Sequence, residues 1–214
     1  MLLGKVLKNL KKKFKKIKFK NIRFNSEDCK QNDIFFAIDG NYSNGNRYIN
    51  KAIDNGAKII ISNLKFEGFD KNNVLFIRSE NPRKLLSDVA SKYYTLKPKN
   101  LIAVTGTNGK TSVANFYQQI LSLNNQKVAS IGTLGVLSKK FTLNTKNTTM
   151  DPVTLHKILE KLHKLKINNV ILEASSHGLK QYRLNNIRFK SAIFTNLSRD
   201  HLDYHKTFKN YLNS

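Results

Sequence analysis

The sequence has one cysteine, Cys29, in 214 residues. It can form no internal disulfide and no cysteine-rich metal site. That economy suits a reducing compartment, and the cytoplasm is the expected location. Acids are scarce: 14 Asp and Glu stand against 38 Lys and Arg, a net charge of +24. No run of about 18 apolar residues occurs, so no membrane span is expected. The basic N-terminus lacks the apolar stretch of a secretory signal. An RNP aromatic pair, zinc-finger spacing and internal repeats are also missing, so the charge comes without a nucleic-acid motif. Lysines occur in every segment instead of one patch, as on a solvated surface. A non-enzymatic, charge-driven nucleic-acid binder stays open as an alternative, and steep salt dependence would be its signature.

Among what is present, 40% hydrophobic residues and 13 Phe point to a packed globular chain. Residues 5–20 carry nine lysines with Val6, Leu7, Leu10, Phe14 and Ile17 at helix-like spacing. Such a segment suits a membrane surface or a first helix docked on a domain. The alternation of Ile17, Phe19, Ile22 and Phe24 favours the docked helix, running into a strand over Ile17–Phe24. The lone Cys29 reads as a small buried residue.

The chain divides at "KYYTLKPKN" (Lys92–Asn100), a polar stretch with Pro98. The expected domains are 1–97 and 98–214. Short strands at Ile34–Ala37, Ala57–Ser62 and Val74–Ile77 alternate with helices at Arg47–Asn55 and Pro82–Tyr94. After the divide, strands are predicted at Leu101–Thr105, Val128–Gly132, Asn169–Ala174 and Ser191–Thr195. Helices are predicted at Lys110–Leu123 and Pro152–Leu165, the second with Asp151 as N-cap and Pro152 in its first position. Leu155, Ile158, Leu159, Leu162 and Leu165 make its apolar face. His156 and His163 share this helix and read as a solvated face more readily than as a metal pair. Alternation of strand and helix predicts an α/β fold with mostly parallel sheet.

One stretch carries chemistry. "IAVTGTNGKTSVANFYQQIL" (Ile102–Leu121) runs from a buried strand through Gly106, Gly109, Lys110 and Thr111 into a helix. Backbone N–H groups converging at a helix N-terminus bind phosphate. Glycines allow close approach, a lysine meets the β- and γ-phosphates, and the next hydroxyl suits Mg²⁺. The general P-loop is G-x-x-x-x-G-K-[ST]; here Val104 stands at the first glycine position and the loop begins at Gly106. Glu173 ends a strand rich in Val170, Ile171 and Leu172, at the sheet edge where ligands bind, and a carboxylate there suits a hard cation.

The shortened "TGTNGKT" resembles the ATP loop of the Mur ligase and folylpolyglutamate synthetase superfamily. "NTTMDPVTLHKIL" (Asn147–Leu159), "LEASSHGLKQYRL" (Leu172–Leu184) and "FTNLSRDHLDYH" (Phe194–His205) resemble the UDP-N-acetylmuramoyl-tripeptide synthetase branch of the Mur ligases. "FNSEDCKQNDIFFAIDG" and "NGNRYINKAIDNGA" resemble the branch's uridine-binding domain. The resemblance implies a small N-terminal α/β domain followed by an incomplete, P-loop-type, mostly parallel central domain. It implies an ATP-dependent amide ligase of peptidoglycan synthesis, a monomer with no specific nucleic-acid partner, using ATP and Mg²⁺. Its substrates would be UDP-N-acetylmuramoyl-L-alanyl-D-glutamate and an amino acid, meso-diaminopimelate or L-lysine. Activation of the carboxylate as an acyl phosphate would precede attack by the amine. A folylpolyglutamate synthetase would share the loop, but that branch resembles proteins that start close to it.

By resemblance, Gly106, Thr107, Asn108, Gly109, Lys110, Thr111 and Ser112 hold ATP. Lys110, Glu173 and His201 serve catalysis, and Thr111, Glu173 and His201 face the metal. Phe24, Ser26, Asn41, Tyr42 and Ser43 match uridine-contacting positions. Asn147, Thr148, Thr149, Ser175, Gln181 and Arg183 match positions for the diphosphate and muramoyl-dipeptide. His177 is either a packing residue or part of the site. The chain departs from the family with Asn25-Ser26-Glu27 where Asp-Ser-Arg is usual, and with Ser112 where a second threonine is usual. The family also has a third domain and a carbamylated lysine due just after Ser214, so the chain is expected to be a fragment inactive alone.

Overall fold

The computed structural model describes residues 1–40, 43–145 and 147–214. It divides into two compact units, Met1–Tyr93 and Tyr94–Ser214. The sequence reading expects a divide at residue 97, inside the second unit.

The first unit contains α1 (Leu3–Val6), β1 (Ile22–Arg23), β2 (Asp33–Phe36), α2 (Ile49–Asp54), β3 (Ala57–Ser62), β4 (Gly68–Phe69), β5 (Leu75–Arg78) and α3 (Pro82–Tyr93). Its sheet runs β1-β2-β3-β5-β4. All neighbours are parallel except the β4–β5 pair. Strands β2 and β3 lie at the centre and read as near-continuous apolar runs, as a sheet covered on both faces requires. Leu3, Val6, Leu7 and Phe14 are buried, so the lysine-rich start packs on this unit through its apolar side, but not as the expected helix: only Leu3–Val6 is α-helical and Lys12–Phe14 is a 3₁₀ turn. The expected strand over Ile17–Phe24 is reduced to Ile22–Arg23, preceded by an isolated bridge between Leu2 and Lys18. Here the chain end pairs with the segment locally, which leaves little of it to the sheet. The expected helix from Arg47 begins as a 3₁₀ turn, Gly45–Tyr48, capped by Asn44.

Asp33, at the start of β2, is fully buried. It accepts from the Asn21 and Lys30 backbone N–H groups, Asn21 Nδ2 and Arg23 Nε at 3.0 to 3.2 Å. The carboxylate thus ties β1 to β2 where the register shifts. Asp33→Ala is expected to lower unfolding stability by about 2 kcal/mol, because several donors lose a charged acceptor; urea denaturation checks it.

The second unit contains β6 (Asn100–Thr105), α4 (Lys110–Leu123), β7 (Val128–Gly132), β8 (Gly135–Leu137), α5 (Pro152–Lys164), β9 (Asn169–Glu173), α6 (Ser176–Lys180), β10 (Ser191–Phe194), α7 (Leu202–His205) and α8 (Phe208–Leu212). Its sheet order is β10-β6-β9-β7-β8, parallel except for β7–β8. Asp151 caps α5 by accepting from Thr154 N–H at 2.9 Å, with Pro152 next in line. Leu155, Ile158, Leu159 and Leu162 pack into the core with Ala129, Ile131, Val170 and Leu172. The register sets Val104 beside Glu173 and Thr105 beside Phe194. The ends of β6, β7, β9 and β10 therefore lie along one edge of the sheet.

One reading of α5 needs correction. His156 is fully buried, not on a solvated face. Burial, with the Lys97 charge adding to it, pushes its pKa down to about 3, against a weaker pull from the Asn185 backbone. It is a neutral core residue. His163 is used separately, its Nδ1 2.8 Å from the Lys97 carbonyl oxygen.

Candidate active site

The loop after β6 turns sharply into α4. Gly106 has φ +132° and Gly109 φ +84°, both in the left-handed region that favours glycine. A Cβ on Gly106 would lie 2.1 Å from Thr195 Oγ1 and 2.8 Å from the Asn196 carbonyl oxygen. The segment after β10 straps the loop. Thr107 N–H donates to the Asn196 carbonyl at 2.9 Å, and Asn108 N–H to Asn196 Oδ1 at 3.0 Å. Thr195 Oγ1 and Asn196 Nδ2 donate to the Asn108 carbonyl. Buried Thr107 shares its hydroxyl with Tyr211 OH at 2.9 Å and accepts from Ser198 N–H.

Lys110 opens α4 and folds back over the loop, donating to the Gly106 and Thr107 carbonyls at 2.6 and 2.8 Å. Burial pushes its pKa below the ordinary lysine value, opposed by the charges of Glu173 and Asp200. An ammonium so placed is poorly hydrated and suited to an anion.

Glu173 sits at the end of β9, 2% exposed. A surface strand-end acid is thereby excluded. Its carboxylate accepts from Thr111 Oγ1 at 2.9 Å, from Thr133 N–H at 3.0 Å and from Thr133 Oγ1 at 3.1 Å. Gly132 leaves room for it, since a Cβ there would lie 2.0 Å from Glu173 Oε1. The sequence reading missed Thr133. The signal it overlooked was the "GTLG" turn after β7, where a hydroxyl follows a strand end at the ligand-binding edge. Carboxylate and hydroxyl oxygens are the hard donors a magnesium ion takes, so Glu173 and Thr111 fit that ion. His201 has left-handed backbone (φ 52°) and packs edge-on against His177 and Tyr211, with Asp200 3.6 Å from its Nε2. Among the described contacts none joins it to Glu173 or Thr111, and the described residues hold no metal-ready cluster of three His, Cys, Asp or Glu. His177 stacks on Tyr204 at 4.1 Å and near His205, a packed ring whose pKa burial lowers.

The other positions in this unit form a second hydrogen-bonded group. Thr148 Oγ1 lies 3.0 Å from Thr133 Oγ1. Thr149 Oγ1 donates to the Glu173 carbonyl, stands 3.0 Å from Ser175 Oγ and accepts from Ser175 N–H. Ser175 caps α6 through Gly178 N–H. Arg183 is bound to Gln181 Oε1 and to the Thr149 carbonyl, and Gln181 Nε2 donates to Tyr204 OH. Asn147 stands at the start of this segment and Ser112 in the first turn of α4.

In the first unit, Ser26 is buried in a 3₁₀ turn capped by Asn25, while Phe24 is largely exposed. Glu27, which replaces the usual arginine, pairs with Lys51 at 2.9 Å on the surface. Ser43 receives the Gly40 N–H on its carbonyl; Asn41 and Tyr42 lie outside the described residues. Cys29 is buried, and burial with the Asp33 charge raises its thiol to about 11, so it is no nucleophile.

Parallel sheet, strapped glycine loop and buried strand-end carboxylate define a phosphate-loop α/β protein. Within that class the chain belongs to the Mur ligase family: the Mur ligase middle domain matches residues 104–214, and the Mur ligase family catalytic domain matches residues 18–94. It is 41% identical over 208 residues to a UDP-N-acetylmuramoyl-L-alanyl-D-glutamate–2,6-diaminopimelate ligase of Rickettsia felis, covering 95% of this chain and 39% of that protein. To the Rickettsia bellii ligase of the same name it is 44% identical over 209 residues, covering 95% and 42%. The chain thus spans about two fifths of the length of these curated relatives. A solved structure of a ligase of that name superposes with TM-score 0.76 at 30% identity, over 94% of this chain and 40% of the other. A MurF ligase from Thermotoga maritima in complex with ADP shares the fold, with TM-score 0.58 at 20% identity over 90% of this chain and 41% of the other.

Proposed function

We propose that this chain provides the uridine-binding and ATP-binding parts of a ligase that extends UDP-N-acetylmuramoyl-L-alanyl-D-glutamate by one amino acid in peptidoglycan synthesis. The relatives' names favour 2,6-diaminopimelate over L-lysine as that amino acid. The observation that carries the reading is the Thr111 hydroxyl, next to the loop lysine, held 2.9 Å from buried Glu173. Phosphoryl transfer asks mainly for positioning and charge neutralisation, and these residues supply both.

Lys110 would leave the Gly106 and Thr107 carbonyls for the β- and γ-phosphates of ATP, with Gly109 letting the backbone N–H groups approach. Thr111 and Glu173 would hold magnesium, which when bound neutralises phosphate charge; His201 joins them only if α7 shifts from its packing on His177. Thr148, Thr149, Ser175, Gln181 and Arg183 would orient the muramoyl-dipeptide so that its carboxylate meets the γ-phosphate. Arg183, whose Nε–Nη2 fork donates to Gln181 Oε1 in this structure, would exchange that acceptor for an anion. In the first unit, Ser26 with its neighbours would take the uridine. The reaction draws on cytoplasmic ATP.

Calorimetry on this chain tests the reading. It should bind magnesium-ATP and UDP-N-acetylmuramoyl-L-alanyl-D-glutamate. Glu173→Gln is expected to weaken the magnesium-dependent part of nucleotide binding about tenfold, as loss of a charged contact does, and to leave metal-free ADP affinity unchanged. Salt-sensitive binding to unrelated DNA with neither ligand bound would overturn the reading in favour of a charge-driven binder.

A further inference from the structure

Thr133 lies between two groups that have been assigned different tasks. Its backbone N–H and its hydroxyl both reach Glu173, and the same hydroxyl is 3.0 Å from Thr148 Oγ1. Thr111 adds a longer contact, 3.4 Å from Thr133 Oγ1, while giving its own proton to Glu173. A threonine hydroxyl has one proton to give and two lone pairs to receive with. The Glu173 carboxylate accepts from Thr111 Oγ1, from Thr133 N–H and from Thr133 Oγ1, so it takes the Thr133 proton. Thr133 can then only accept from Thr148, whose proton points inward. The Thr148 hydroxyl is left with lone pairs toward any ligand, the wrong polarity for an anion.

We infer that Thr133 is a positioning residue that couples the Glu173 end of the site to the Thr148 end through this single proton. When a cation engages the Glu173 carboxylate, its hold on the Thr133 proton weakens. Thr133 then donates to Thr148, and Thr148 turns its own proton outward to the anionic UDP-linked substrate. No bond other than hydrogen bonds changes, and the proton stays on Thr133 throughout. Coupling of this kind is reciprocal: each ligand must tighten the other by the same factor. The inference rests on the proposed ligase reading and adds a specific residue and sign to it. The Thr133 N–H to Glu173 Oε1 bond is backbone and survives substitution, so the hydroxyl can be tested without displacing the carboxylate.

The experiment measures UDP-N-acetylmuramoyl-L-alanyl-D-glutamate binding to the chain by calorimetry, with ADP alone and with ADP plus magnesium. Wild type is expected to bind the substrate at least about fivefold tighter with magnesium, the lower range of typical coupling. Thr133→Val keeps shape and N–H but leaves the Thr148 proton no inward acceptor, so it is expected to abolish the enhancement by raising metal-free substrate affinity toward the magnesium level. Thr133→Ser should restore it. An undiminished enhancement in the valine variant, with its melting temperature unchanged, overturns the inference and leaves the ligase reading standing. A valine variant that melts early is replaced by the Thr148→Val arm, which removes the other end of the relay and must also abolish the enhancement. Wild type that binds neither ligand overturns the ligase reading, and the inference falls with it.

Discussion

Lys110→Ala is expected to weaken magnesium-ATP binding about a hundredfold, the combined loss of two charge-assisted hydrogen bonds. The ammonium stands at the N-terminus of α4, where it rests on the Gly106 and Thr107 carbonyls. Its burial lowers its pKa, opposed by Glu173 and Asp200. On the proposed reading, a phosphate arriving at the loop would take over the role of those carbonyls and gain a weakly hydrated cation. Alanine retains helix propensity in the first turn, so the melting temperature should change little. Lys110→Met, which keeps the stem, should lose as much affinity as alanine, since the charge is what matters. Calorimetry with magnesium-ATP reads both variants. An affinity near wild type in either would show that the loop holds its ligand by backbone groups alone.

Gly106→Ala is expected to cost about 2–5 kcal/mol of stability, from overpacking together with a left-handed φ. The added carbon would meet Thr195 Oγ1 and the Asn196 carbonyl, which strap the loop. Thr195 can rotate, but then its bond to the Asn108 carbonyl is lost. The Asn196 carbonyl is backbone and also holds Thr107 N–H, so it cannot yield without opening the loop. The variant should unfold at lower urea and lose nucleotide binding together. Wild-type stability in Gly106→Ala would mean that the strap after β10 is slack. Gly109→Ala provides the contrast: its Cβ would touch only Thr195 carbons at 3.9 Å, so its cost is the backbone strain alone, roughly 1–3 kcal/mol.

The local elements were legible because their signals are local. Ala57–Ser62 and Val128–Gly132 are apolar runs of strand length, and Lys110–Leu123 follows its glycine turn; the structure places all three with those bounds. Asp151 and Pro152 announce α5 by cap chemistry that needs no distant partner. The two-residue strand β4 and the three-residue β8 carry too short a pattern to read, and exist because β5 and β7 offer them an edge. The lysine-rich start was resolved to a docked segment by its buried apolar residues, but the strand expected after it was mostly lost to pairing with the chain end.

By itself the sequence determined the phosphate-loop class, through the spacing of Gly106, Gly109 and Lys110, and a carboxylate at the end of an apolar strand. Tertiary structure alone decided what surrounds them. Thr195 and Asn196 reach the loop across nearly ninety residues, with Thr195–Asn108 separated by 87 positions, because β10 pairs parallel to β6. Thr133 meets Glu173 because β7 lies beside β9 with Ile131 opposite Leu172. His156 is buried because the core-facing arc of α5 is wider than its leucine stripe. Strand register and packing choose such partners, and neither propensity nor periodicity encodes which distant hydroxyl a carboxylate will find.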